Sequence, residues 1–172
     1  MKKSLQKNLS IKPVFESSET STLKVLQPMA SAEARRNQKR TLKNAVKLST
    51  LKPFLKPSEY AELLKLYPNE EVYAWGVRSS STVILNRYKK MEVGSEMYGY
   101  SRYTLRLKSE VLMKIPNNPR LAKFLWKEDG KEFINIYFVT KPEEINIHIS
   151  ELDDKVKSYG KPIAVLRQLL VY

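Results

Sequence analysis

The chain has 172 residues, with 31 Lys and Arg against 18 Asp and Glu, a formal net charge of +13 and a pI near 9.8. Hydrophobic residues make up 42%, enough for a core, and no run approaches the roughly 18 consecutive apolar residues of a membrane span. The absence of cysteine and a single histidine, His148, exclude a disulfide framework, a thiol nucleophile and thiolate or multi-histidine metal sites. No apolar segment follows the N-terminal lysines, so no secretory signal is visible and a cytoplasmic location is expected. What remains is a basic domain with an anionic partner, nucleic acid first among them.

In chain order, residues 1–30 are rich in Ser, Thr and Lys with scattered apolar positions, and read as an arm. Residues 31–70 read as a basic helical segment. "AEARRNQKRTLKNAVKL" predicts a helix from Ala32 to about Leu48 with Ser31 as N-cap, and "SEYAELLKLY" a second one with Ser58 as its cap. From 71 to 172 the pattern becomes that of a nucleic-acid-binding domain. "EVYAWGV" predicts a buried strand, "SSSTVILNRYKKM" a loop and short helix, and "SEMYGYS" and "TLRLKSEVLMKI" two more strands. After the "NNP" turn a short helix precedes "KEFINIYFV", whose alternation places Phe133, Asn135, Tyr137 and Val139 on one face. "INIHI" predicts a short strand, "ELDDKVKSY" a short helix, and "PIAVLRQLLVY" a closing strand or helix. The expected class is α+β, with a mostly antiparallel, curved sheet and flanking helices.

Charge is uneven along this order. Residues 1–66 hold 14 basic and 5 acidic side chains, residues 78–120 hold 9 and 3, and residues 121–172 hold 8 of each. The excess reads as a phosphate footprint, with a solvated basic face or a ribosome-like or membrane-surface role as alternatives. Arg35, Arg36 and Arg40 are its candidates in the first helix. Around the tyrosine-rich middle, Arg87, Lys89, Lys90, Arg102, Arg106 and Lys108 alternate with Tyr88, Tyr98, Tyr100 and Tyr103. With Trp75 and Trp126, such aromatics suit stacking on bases, while Tyr73 and Tyr137 read as core.

Catalytic chemistry has little support. The five glycines form no phosphate-cradling loop, and no cofactor motif is visible. His148 reads as a strand residue, and Ser79, Ser80 and Ser81 have no neighbouring base in sequence. Glu128, Asp129 and Glu132 with Lys131, or Asp153 with Asp154, could imitate a metal-dependent nuclease but read more simply as solvated turns. No enzyme, no catalytic residue, no metal and no cofactor are expected.

"VRSSS" at 77–81 resembles the signature that opens YTH domains and, in shorter form, EVE domains. "RYKKMEVGSEMYGYS" at 87–101 is similar to the EVE segment leading through a glycine turn to an aromatic strand. "FLWKEDGKEFINIYFVTKPEEI" at 124–145 is similar to the YTH stretch of tryptophan, acidic turn and aromatic strand. The resemblance covers roughly 71–152. It implies a PUA-like curved barrel that holds a flipped, modified base in an aromatic cage. It further implies Trp126 as a cage wall, Ser79 and the adjoining backbone at Ser80 near the base or its ribose, and Arg78 on a phosphate. A further cage aromatic is replaced by Lys131, so Tyr88, Tyr100 or Tyr103 would substitute; Trp75 has no counterpart in the pattern. In prokaryotes the resemblance implies a DNA-specificity domain of a modification-dependent restriction system, with a downstream nuclease or motor domain. An RNA reader or ribonucleoprotein component, or a basic scaffold, are the alternatives, and no membrane partner is expected.

Overall fold

The structure, a computed structural model, describes residues 22–152 and 169–172. Its frame is a mixed sheet in the order β2-β3-β6-β5-β4-β1-β8, with β7 added to β5. The strands are β1 (Lys24–Pro28), β2 (Val46–Lys47), β3 (Glu71–Val77), β4 (Glu96–Ser101), β5 (Thr104–Ile115), β6 (Asn135–Val139), β7 (Glu143–His148) and β8 (Leu170–Val171). All pairings are antiparallel except β1 with β4. The sheet curves but does not close, so the expected α+β class holds while a complete barrel does not.

β5 is the bent spine. Its first half lies between β4 and β7, and its second half pairs with β6. Irregularities at Leu105/Leu107 and Val111/Met113 mark where it turns, as bulges do by bending one strand against its partner. Gly99 is needed here because a Cβ would stand 2.6 Å from the Met29 sulfur and 2.8 Å from Leu107 Cγ.

Helices α1 (Ala32–Gln38), α2 (Pro57–Leu66), α3 (Thr82–Lys90) and α4 (Pro119–Trp126) pack around this sheet. Among the described residues, no helix is long and apolar enough to cross a membrane. Ser31 caps α1, its Oγ accepting the Ala34 N–H at 3.0 Å. The helix stops well short of Leu48: it widens into a π turn at Lys39–Lys43, then gives way to β2 and a 3-10 segment, Leu48–Phe54. Thr41 sits in that turn, buried, and donates to the Asn37 carbonyl at 3.2 Å. Such back-bonding from a threonine bends a helix. Ser58 does not cap α2. Pro57 opens that helix and the Lys56 N–H donates to the Glu59 carboxylate at 2.7 Å, because proline is preorganised for the first helical position.

Three further expectations change. Residues 24–28, read as part of an arm, are a strand between β4 and β8 with Val25 and Leu26 fully buried. The segment 31–70 is no separate unit, since Leu42, Leu48, Leu51, Leu63 and Tyr67 share one core with the sheet. The strand expected from Lys131 starts only at Asn135, and all its residues are buried, so neither face meets water. The arm's residues 1–21, and the expected elements over 153–168 including Asp153 and Asp154, lie outside the described residues.

Candidate nucleic-acid interface

β1 and β3 are separated in the strand order and do not pair. Between them lies a cavity of about 730 Å³. Gln27 and Pro28 end β1 on one side; Trp75, Gly76, Val77 and Arg78 end β3 on the other. Ser31, Glu33 and Ala34 enter from α1, Ser80, Ser81 and Ile84 from the start of α3, Tyr100 from β4, and Phe133 from the segment before β6. Arg102, at the β4–β5 turn, completes the rim. The volume falls within the ordinary range of small-molecule sites.

The walls are held from behind. The Tyr137 hydroxyl, fully buried on β6, donates to Gln27 Oε1 at 3.1 Å. With that oxygen engaged, the Gln27 NH2 has no hydrogen-bond partner among the described residues, and Gln27 lines the cavity. Burial pushes the Tyr137 phenol well above its usual pKa, so it stays a neutral donor. The junction of β1 and α1 is pinned by Met29 N–H to the Tyr100 carbonyl, 2.8 Å, and by Gln38 Nε2 to the Met29 carbonyl, 3.1 Å. Gly76 is required by close approach: a Cβ would lie 2.7 Å from Trp126 Cζ3 and 2.8 Å from the Phe133 carbonyl oxygen.

The two tryptophans occupy different positions. Trp126 is 1% exposed, and its indole N–H donates to Thr41 Oγ at 3.0 Å. It meets Trp75 edge-on at 6.5 Å and Phe133 at 6.3 Å, so it stands behind the cavity lining rather than in it. Trp75 lines the cavity, is 2% exposed, and leaves its buried Nε1–H without a hydrogen-bond partner among the described residues. An unsatisfied buried donor of this kind costs about 1–3 kcal/mol.

Of the other residues singled out in the sequence, Ser80, Tyr100, Arg78 and Arg102 line the cavity with Trp75. Ser79 does not; it is exposed, and its N–H donates to the Glu132 carbonyl at 3.4 Å. Tyr88 is buried beneath α3, its hydroxyl on the Ile136 carbonyl at 2.8 Å, and burial drives its pKa upward. The Lys114 ammonium covers that ring at 4.7 Å. Tyr103 is exposed beside the rim, stacked on His148 with centroids 6.1 Å apart. Gln27, Glu33 and Phe133 also line the cavity and were not anticipated.

Many of the expected phosphate contacts are already engaged within the chain. Arg36 and Arg40 converge on Asp129 at 2.8 and 2.9 Å, and Arg40 also donates to the Trp126 carbonyl. These arginines hold the Asp129 carboxyl below its usual pKa range, the Arg36 hydrogen bond being the main cause. Asp129 is therefore a structural counterion, and among the described residues no cluster of three or more His, Cys, Asp or Glu could hold a metal. Arg78 pairs with Glu33, lies 3.5 Å from Glu132 and covers the Phe133 ring at 4.9 Å. Arg87 donates to the Leu169 carbonyl, Arg106 to Asn146 Oδ1, and Arg35 to the Ala30 carbonyl. Lys108 lies 3.7 Å from Glu96. Lys89 and Lys90 are exposed on the last turn of α3, and Arg102 is exposed at the rim without a hydrogen bond or ion pair among the described residues.

No protein-family model matches the chain, and no curated protein matches it. Its fold does match a solved structure, the N-terminal domain of Thermococcus gammatolerans McrB bound to m5C DNA. The TM-score is 0.55 at 19% sequence identity, over 78% of this chain and 83% of that one. The chain is thus similar in fold to that domain.

Proposed function

We propose that this domain binds DNA and reads a modified base, 5-methylcytosine first, by receiving it in the cavity between β1 and β3. The observation that carries the reading is the cavity's composition. Trp75, Tyr100 and Phe133 contribute aromatic residues to its lining, and the Gln27 amide N–H, without a partner among the described residues, offers a hydrogen bond to a base edge. The fold shared with a domain solved on m5C DNA supports it.

Extruding a base costs a few kcal/mol, which stacking and edge hydrogen bonds must recover. Stacking contributes about 1–3 kcal/mol per base. A single methyl is worth only about 0.8 kcal/mol by burial. Discrimination between modified and plain bases therefore rests on both the walls and the Gln27 donor. Arg102 is placed to take a phosphate directly, whereas Arg78 must first leave Glu33 and Glu132. In this reading Trp126 is not a cage wall; it fixes Trp75 and Phe133 from behind. A nuclease or motor domain, in the same chain or a partner, would supply any cleavage.

The test is binding to otherwise identical duplexes with cytosine, 5-methylcytosine, 5-hydroxymethylcytosine, adenine or N6-methyladenine at one position, and to the matching single-stranded DNA and RNA. A preference for one modified duplex is expected. Equal affinity across all duplexes at near-physiological salt overturns the reading, and a preference for RNA moves it to an RNA reader.

A further inference from the structure

An extruded base leaves a gap in the stack and an orphaned partner base, and both must be compensated from outside the cavity. The β4–β5 hairpin bears on this point. Ser101 pairs with Thr104, so the turn consists of Arg102 and Tyr103 alone. Arg102 lines the cavity with φ +57°, a left-handed conformation that favours glycine in a tight turn. Tyr103, the next residue, is 43% exposed. Its backbone is anchored by the Ile149 N–H, which donates to the Tyr103 carbonyl at 2.8 Å. Its ring lies nearly parallel to the His148 imidazole, 14° between planes with centroids 6.1 Å apart.

Other exposed large side chains fit less well. Phe124 lies on α4, stacked on Phe54 at 4.7 Å. Val83 adjoins the cavity wall on α3 but carries no ring to stack on a base. Leu64 and Val93 are not next to a lining residue.

We infer that Tyr103 is a wedge: it enters the DNA stack in place of the extruded base, while Arg102 beside it faces the cavity. The inference rests on the base-extrusion reading above. Aromatic and apolar wedges act this way by replacing lost stacking, and a two-residue turn lets neighbouring side chains divide the two tasks.

The test uses two duplexes, each carrying one 5-methylcytosine, either paired with guanine or facing an abasic site. The wedge matters most where a pair must be broken. For the unaltered protein, tighter binding to the abasic-opposed duplex is expected. Tyr103→Ala should weaken binding to the paired duplex about 10-fold, and to the abasic-opposed duplex much less, by the stacking it removes. Tyr103→Phe should restore the unaltered pattern, and Val83→Ala should not change it. If the unaltered protein ignores what lies opposite the methylated base, extrusion itself fails and the wedge with it. If it responds, but Tyr103→Ala leaves both affinities unchanged or lowers them equally, only the wedge is overturned.

Discussion

Trp75 and Trp126 pack against each other yet do opposite work. Trp126 ends α4 with its ring enclosed and its N–H satisfied by Thr41, a side chain placed by the π turn after α1. Trp75 sits on β3 with a similar degree of burial, but its N–H has no partner among the described residues, and Trp75 lines the cavity. A satisfied indole contributes to stability. An unsatisfied one lowers stability, a cost tolerated here in a ring that also lines the cavity. The difference teaches that burial alone does not separate a core aromatic from a binding one; the fate of the polar atom does.

The widest break of this comparison is truncation. Trp126→Ala should destabilise the domain by about 3–5 kcal/mol, measurable by urea unfolding, because a large enclosed ring and a buried hydrogen bond are lost together. Gly76→Ala should cost about 1–3 kcal/mol, since the new methyl meets Trp126 and the Phe133 backbone. Trp75→Phe sharpens the contrast. It should be milder in unfolding than Trp126→Phe by roughly 1 kcal/mol, as it removes no hydrogen bond, yet lower affinity for the modified duplex about 10-fold. Equal unfolding penalties with unchanged binding would erase the distinction between the two rings.

Smaller effects test the rim and the counterion. Arg102→Ala should weaken all duplexes alike and reduce the slope of log affinity against log salt by about 0.9, the signature of one lost phosphate contact. Asp129 governs a pH effect. Its folded pKa lies below the unfolded value, so its pairing with Arg36 and Arg40 stabilises the fold above the unfolded aspartate pKa of about 3.9 and is lost as pH falls through the folded value. Asp129→Asn should remove that part of the acid limb in a pH series of thermal melts, lowering the melting temperature at pH 4 and above and having little effect only once the pH is below the folded pKa of Asp129.

Much of the fold from residue 71 onward was legible because its signals are local. β3, β4 and β5 follow runs of aromatic and β-branched residues, and Ser31 caps α1 as its position before a helix-forming run requires. β1 was not legible. Its five residues carry a lysine and a glutamine in polar surroundings, and they become a strand only by pairing with β4 some seventy residues later. The end of α1 was missed for a similar reason, since Thr41 bends the chain there while serving as the acceptor for Trp126. Within the candidate site, Trp75, Ser80, Tyr100, Arg78 and Arg102 were named from the sequence, whereas Gln27 and Phe133 were not. Spacing brought attention to Trp126, but only packing shows that it lies behind the cavity.

By itself the sequence determined a basic α+β domain, the strands and short helices of its second half, and the residue types suited to grip a nucleic acid. These follow from composition, alternation and capping, which act over a few residues. The tertiary structure decided that a strand from the presumed arm enters the sheet and that the sheet stays open between β1 and β3. It also decided that Arg36, Arg40 and Arg78 have carboxylate partners within the chain, and which tryptophan keeps its N–H unpaired. Each of these depends on contacts between distant residues, where burial and pairing, not local propensity, set the outcome.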